Sequence, residues 1–128
     1  MKTVAYVFPV TAIVVFLQAI TGAATVLNFY GYNAHMMTGY VVAALALVST
    51  AIAFGTKPKY NALRYSSLVL FALVLVQGGL GFLAKTSDQL VEVHFVNFLI
   101  IFGTSIAITF YAFRWGRLQA APAMPVQP

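Results

Sequence analysis

Two histidines are the side chains of this sequence best suited to binding chemistry. His35 follows Gln18 by 17 residues, His94 follows Gln77 by 17 residues, and the chain has no other histidine. Imidazole nitrogens bind zinc and serve as axial ligands of haem iron. The chain contains no cysteine, which excludes disulfides, thiolate-held iron–sulfur clusters and covalent c-type haem attachment. The pattern therefore indicates a site built from paired imidazoles.

The elements that must position these histidines are apolar helices. Apolar residues make up 62% of the 128 residues and charged residues only 7%, whereas about 25% of a soluble domain is charged. Residues 3–56, 65–84 and 93–113 carry no charge. One membrane span needs about 20 apolar residues, and Asn28–Asn33 fits a turn at the membrane–water interface. The sequence predicts an all-α integral membrane four-helix bundle with spans near 5–28, 31–55, 64–84 and 90–113.

A repeat at an offset of 59 residues relates the two halves of the chain. The segment Gln18–Gly22 aligns with Gln77–Gly81. The offset also matches Thr50 with Thr109, Ala53 with Ala112 and Phe54 with Phe113. Two-helix copies insert with the same orientation and are related by an axis along the membrane normal. We therefore predict two parallel two-helix repeats with both histidines at one depth.

The basic residues predict how the bundle is oriented. Six of them fall on one side of the predicted spans: Lys2, Lys57, Lys59, Arg64, Arg114 and Arg117. The positive-inside rule makes that side cytoplasmic, so we predict a multi-pass plasma-membrane protein with both termini in the cytoplasm. The net charge of +5 is then a topology signal and does not indicate a nucleic-acid partner. A cleaved signal peptide is disfavoured because the first apolar stretch, at more than about 20 residues, is long for a signal core.

The chain divides into a membrane domain and a tail. Residues 1–117 form the predicted transmembrane domain, whose surroundings are the lipid bilayer. Residues 118–128 are rich in alanine and proline, and we predict a disordered cytoplasmic tail.

Helical spacing directs the histidines and a set of small residues toward the bundle interior. The second helix carries one such face: His35, Gly39, Val42, Ala46, Ser49 and Ala53. The fourth helix carries the equivalent face: His94, Phe98, Ile101, Ser105, Ile108 and Ala112. Haem iron takes two axial ligands on opposite sides. We therefore predict a haem b held between His35 and His94.

A flat cofactor in this position needs small or polar neighbours. Gly22, Gly39 and Gly81 would leave room beside the macrocycle, and Gln18 and Gln77 belong to the same inward stripes. Lys85, with Asn28 and Asn33, would meet the propionates near the outer surface.

Other interpretations of these residues stay open. Zinc usually takes four ligands, whereas the histidines and Glu92 supply at most three, and Glu92 points to another helix face. A haem with Met36 or Met37 as second ligand is a further alternative. The glycines would also suit close packing of helix on helix, and the histidines would suit structural hydrogen bonds.

Several of these motifs together resemble a known family. Thr21–Thr25, His35 with Gly39, Gln77–Gly81 and His94 resemble one four-helix half of the haem A synthases. The resemblance covers nearly all of residues 10–113, and it implies that His35 and His94 bind haem b. Tyr32 stands where that family usually has a glutamate, and Val26 where it usually has an arginine. The resemblance therefore implies the fold and the haem pair more strongly than the oxidation of haem O.

Three functions follow from these observations. The first is a haem b-binding membrane cytochrome with two histidine ligands, an electron-transfer or accessory subunit of a respiratory complex. Its partners would be other membrane subunits or a second copy, and a quinol or an external redox protein would exchange electrons with it. The second is a half-size haem A synthase-like enzyme that oxidises haem O. The third is a cofactor-free structural membrane subunit.

Overall fold

The protein is a bundle of four long α-helices. The computed structural model describes residues 2–29, 31–56 and 60–120, without the side chains of residues 2, 85 and 115–120. The helices are α1 (Lys2–Val26), α2 (Tyr32–Phe54), α3 (Asn61–Leu83) and α4 (Asp88–Ala120), with a 3₁₀ helix over Ala84–Thr86. These residues contain no strand, so the predicted all-α class is confirmed.

The fourth helix is longer than expected. It continues to Ala120, seven residues beyond the predicted end at 113 and into the first part of the predicted tail. The rest of that tail, 121–128, lies outside the described residues, as do Tyr30 and the two basic residues Lys57 and Lys59 of the α2–α3 connection.

All four helices are long and apolar enough to cross a membrane. Their outward faces are apolar as well as their inward ones, and side chains such as Ile13, Val69 and Ile100 are at least half exposed. In lipid, exposure of this kind carries no hydrophobic penalty. The helices therefore have the composition of membrane spans on every face.

Asn28 makes the first turn of the bundle possible. Its φ of 60° places it in the left-handed region, which asparagine tolerates better than most residues. The amide of Phe29 donates to the Ala24 carbonyl at 2.8 Å, and the amide of Asn28 donates to the Thr25 carbonyl at 3.1 Å. These two bonds form a Schellman motif that ends α1, so α2 can return after a short connection.

The helices surround a common axis in sequence order. Helix α1 packs on α2 and α4, and α3 packs on the same two helices. Short connections make consecutive helices antiparallel. Helices α2 and α4, which carry the histidines, therefore lie diagonally opposite each other.

The buried residues lie toward the end of the bundle away from the histidines. Seven pairs of buried residues are separated by 59 positions: Phe8 and Ser67, Thr11 and Leu70, Val15 and Val74, Val42 and Ile101, Ala46 and Ser105, Ser49 and Ile108, Ala53 and Ala112. The inward stripes predicted for α2 and α4 are thus confirmed at four positions on each helix.

The histidine end is open by comparison. Every described side chain in 16–29, 31–41 and 75–96 is at least partly exposed. At 1.5 Å per residue, the open part of α1 extends over roughly 16 Å.

The closed end should be sensitive to added volume at its small residues. Ala53 is fully buried, whereas Ala51 of the same helix is exposed. We predict that Ala53→Leu destabilises the bundle by about 1–3 kcal/mol because the extra methylenes have no space. Ala51→Leu is the matched control and should change stability by less than about 0.5 kcal/mol. Unfolding in mixed micelles, followed by circular dichroism, measures both, and equal midpoints would contradict this packing.

Candidate functional site

The two histidines meet across the bundle axis. His35 lies in the first turn of α2, and His94 lies near the start of α4. Their ring centroids are 6.2 Å apart, and the ring planes are inclined by 74°. Both residues are partly buried. The predicted inward orientation and close approach of the two imidazoles are therefore observed.

A glutamine on the preceding helix binds the first histidine. Gln18 Nε2 lies 3.5 Å from His35 Nε2 and donates to the His35 carbonyl at 3.0 Å. The Thr38 hydroxyl donates to Gln18 Oε1, which leaves the amide nitrogen of Gln18 to face the imidazole. On the other side of the ring, Thr21 Oγ1 lies 3.3 Å from His35 Nδ1.

The second histidine has an equivalent partner. Gln77 Nε2 lies 3.1 Å from His94 Nε2, and Asn97 Nδ2 donates to Gln77 Oε1 at 2.7 Å. Asn97 is related to Thr38 by the same 59 residues as the histidines are to each other. Position 80, the counterpart of Thr21, is a leucine. His94 Nδ1 is buried and has no hydrogen-bond partner among the described residues.

These contacts determine which imidazole nitrogen carries the proton. Thr38 donates to Gln18 Oε1 and Asn97 donates to Gln77 Oε1, so each amide nitrogen faces a histidine Nε2, where it can act only as a donor. A neutral imidazole that accepts at Nε2 carries its proton on Nδ1. The 3.1 Å contact from Gln77 favours this tautomer for His94, and the longer 3.5 Å contact from Gln18 favours it more weakly for His35. In this tautomer the Nε2 lone pair is the one that a metal ion would take.

Two glycines make room for the imidazole rings. A Cβ atom built on Gly22 would lie 3.0 Å from His35 Cε1, and one on Gly81 would lie 2.9 Å from His94 Cε1. Gly39 instead faces Gln18, whose Nε2 would be 3.2 Å from such an atom. The structure thus places all three glycines against the histidines and their glutamine partner. Their direct contact with a macrocycle stays a prediction.

The other predicted residues lie at the same end of the bundle. Lys85 belongs to the 3₁₀ helix between α3 and α4, and its side chain lies outside the described part of the chain. Asn28 and Asn33 are exposed. Glu92 is exposed as well, and the described residues contain no group of three or more His, Cys, Asp and Glu that could hold a metal ion.

Two polar residues of the site escaped the sequence analysis. Thr38 and Asn97 each follow a histidine by three residues and bind the paired glutamine. Their common offset of 59 residues was the available signal. A search for identical residues misses it because one is threonine and the other asparagine.

The geometry of the two rings fits a shared iron. With nitrogen–metal bonds of about 2 Å, two imidazoles on opposite sides of one iron place their centroids roughly 6.3 Å apart. The observed separation is 6.2 Å. The Nδ1 of His35 has a hydroxyl partner in Thr21, and a partner at the second ring nitrogen orients a metal-binding histidine. Iron binding through Nε2 requires that the glutamine amides give up their contacts with both rings.

No protein-family model, curated protein or solved structure matches this chain.

A methyl group added at Gly81 should displace the His94 ring. We predict that Gly81→Ala lowers the free energy of unfolding by about 1 kcal/mol because the His94 ring must shift to admit the methyl group. Gly78 of the same helix has open space at its Cβ position, so Gly78→Ala should be neutral or stabilising by up to about 1 kcal/mol through helix propensity. Detergent unfolding of the two variants compares them, and equal destabilisation would argue against the glycine–imidazole contact.

Proposed function

We propose that this protein is a membrane cytochrome that binds one haem b between His35 and His94. The observation that carries the proposal is the approach of two imidazoles from diagonally opposite helices, with centroids 6.2 Å apart. When bound there, haem b supplies one-electron redox chemistry. While both histidines are bound, such a site has no open position for oxygen, which favours electron transfer over oxygen chemistry.

The surroundings of the histidines support this assignment. The described residues of 16–29, 31–41 and 75–96, which include both histidines, have no buried side chain, whereas the opposite end is closely packed. Haem binding would give the open end the apolar contacts that it lacks. His35 and His94 would hold the iron, Thr21 would orient His35, and Gly22 and Gly81 keep space for the rings.

The glutamine contacts oppose binding but are weak by comparison. Side-chain hydrogen bonds between membrane helices contribute about 0.6 kcal/mol on average. The Gln18–His35 contact is long at 3.5 Å, and Gln18 has a second acceptor in the His35 carbonyl. Loss of these two contacts is a small cost beside two iron–nitrogen bonds.

The proposal includes the setting of the protein. We place the four helices in the plasma membrane as two parallel two-helix repeats, with both termini in the cytoplasm, and relate the chain to one half of the haem A synthases. The seven buried pairs at an offset of 59 residues support the repeat. The partners would be other membrane subunits of a respiratory complex or a second copy. A quinol or an external redox protein would exchange electrons at the histidine end.

A cofactor-free structural subunit is the second candidate, and one observation favours it. Both histidine Nε2 atoms already lie near a glutamine amide, so the imidazoles do not need a metal to satisfy that nitrogen. In this function the glutamine–histidine pairs would join α1 to α2 and α3 to α4.

The haem proposal predicts a visible spectrum that depends on both histidines. Purified protein should give a pyridine haemochrome spectrum of haem b at about one haem per chain, and His35→Ala or His94→Ala should remove most of it because one axial bond is lost. Met37→Ala and Val96→Ala change exposed neighbours and should keep the haem. Colourless parent protein with an unchanged fold would favour the structural subunit.

The orientation predicts which end of the bundle reacts with an impermeant thiol reagent. The chain has no cysteine, so single substitutions label cleanly. Thr86→Cys, between α3 and α4, should react with a membrane-impermeant maleimide in intact cells because this end faces outward. Asn61→Cys, at the start of α3, should react only after the cells are opened. The reverse pattern would invert the proposed topology.

A further inference from the structure

The two histidines are unequal in the support that each receives at Nδ1. Thr21 Oγ1 lies 3.3 Å from His35 Nδ1 and donates a hydrogen bond to the backbone carbonyl of Gln18 at 3.0 Å. The Thr21 hydroxyl oxygen can therefore accept a hydrogen bond from the Nδ1–H group of His35. His94 Nδ1 is buried and unpartnered among the described residues, because the equivalent position is Leu80. Partners of this kind orient a metal-binding imidazole and raise its basicity.

The histidines also differ in the competition for Nε2. Gln77 holds His94 Nε2 at 3.1 Å, whereas Gln18 is 3.5 Å from His35 Nε2 and donates to the His35 carbonyl at 3.0 Å. The Gln18 amide can thus remain satisfied when His35 binds a metal. The structure gives the Gln77 amide nitrogen no acceptor besides His94 within the described residues. If His94 dissociated from a metal, the Gln77 amide could donate a hydrogen bond to its Nε2 at once. His35 would find a weaker donor in Gln18.

We propose that His94 is the exchangeable axial ligand of the bound haem and that His35, oriented by Thr21, is the permanent one. When His94 dissociates from the iron, Gln77 donates a hydrogen bond to its Nε2. The inference rests on the proposed haem function and deepens it. It assigns to the His94 side of the iron a binding site for a small diatomic ligand. Thr21 and Gln77 act through the histidines and are positioning residues.

The exchange needs no electron transfer. With haem b bound and reduced, carbon monoxide would take the position on the iron that His94 Nε2 leaves. The freed lone pair of His94 Nε2 then accepts the hydrogen bond from Gln77. His94 differs from His35 in two ways that lower the free-energy cost of this exchange. Its Nδ1 has no partner among the described residues, and the amide nitrogen of Gln77 lies close to its Nε2.

The test is carbon monoxide binding to the dithionite-reduced protein, measured by difference spectra. The parent protein should bind carbon monoxide. Leu80→Thr should reduce its affinity for carbon monoxide by about 10-fold or more, since a hydroxyl partner for Nδ1 typically changes metal affinity by 10- to 100-fold. Leu83→Thr, at an exposed position of the same helix, is the control and should leave the affinity unchanged.

Thr21→Val provides the reciprocal measurement. It keeps the shape of the side chain and removes the hydroxyl, so haem retention should fall by about 10-fold or more while carbon monoxide affinity should not decrease. The pair Gln77→Met and Gln18→Met separates the two glutamines. Only Gln77→Met should weaken carbon monoxide binding, because only Gln77 stabilises the dissociated imidazole.

The outcomes distinguish this inference from the haem assignment. A parent protein without any haem spectrum would overturn both. A haem-containing parent that binds no carbon monoxide would overturn the exchange alone. So would a Leu80→Thr variant that keeps its haem and binds carbon monoxide as tightly as the parent, or equal effects of the two glutamine substitutions.

Discussion

Two amide–imidazole contacts, one from each helix pair, are the interaction on which the histidine end of this bundle depends. An imidazole among apolar helices must satisfy its nitrogens inside the protein. Gln18 and Gln77 meet this need at Nε2 from the neighbouring helix, and Thr38 and Asn97 set the direction of each amide. The amide nitrogens thereby favour imidazoles whose Nε2 carries a lone pair and no proton. A metal ion binds to such a lone pair.

The rest of the bundle positions these contacts by packing small side chains. Seven buried pairs recur at the 59-residue offset, although the chemistry within a pair can differ. Thr11 and Ser49 share a hydrogen bond of 2.8 Å, whereas their counterparts Leu70 and Ile108 are apolar. In a membrane such exchanges cost little, because an interhelical hydrogen bond contributes only about 0.6 kcal/mol. The two halves of the chain therefore share the positions of their buried residues more closely than they share side-chain hydrogen bonds.

The difference between the halves has consequences at the histidines. Where one half has Thr21, the other has Leu80, so one imidazole has partners at both nitrogens and the other at only one. The two helix pairs can hold their histidines at the same level and still support them unequally. Two histidines related by the same 59-residue offset thus have different hydrogen-bond surroundings.

The sequence by itself determined the helices, their inward faces and the pairing of His35 with His94. Helical periodicity and a fixed offset are local or repeating properties, so they can be read without coordinates. Only the tertiary structure decided which glycines meet an imidazole: Gly22 and Gly81 do, and the neighbouring Gly78 and Gly79 face open space. It also revealed Thr38 and Asn97 as partners of the glutamines. Such contacts depend on how one helix is rotated and shifted against the next, because a few ångströms decide whether two side chains touch.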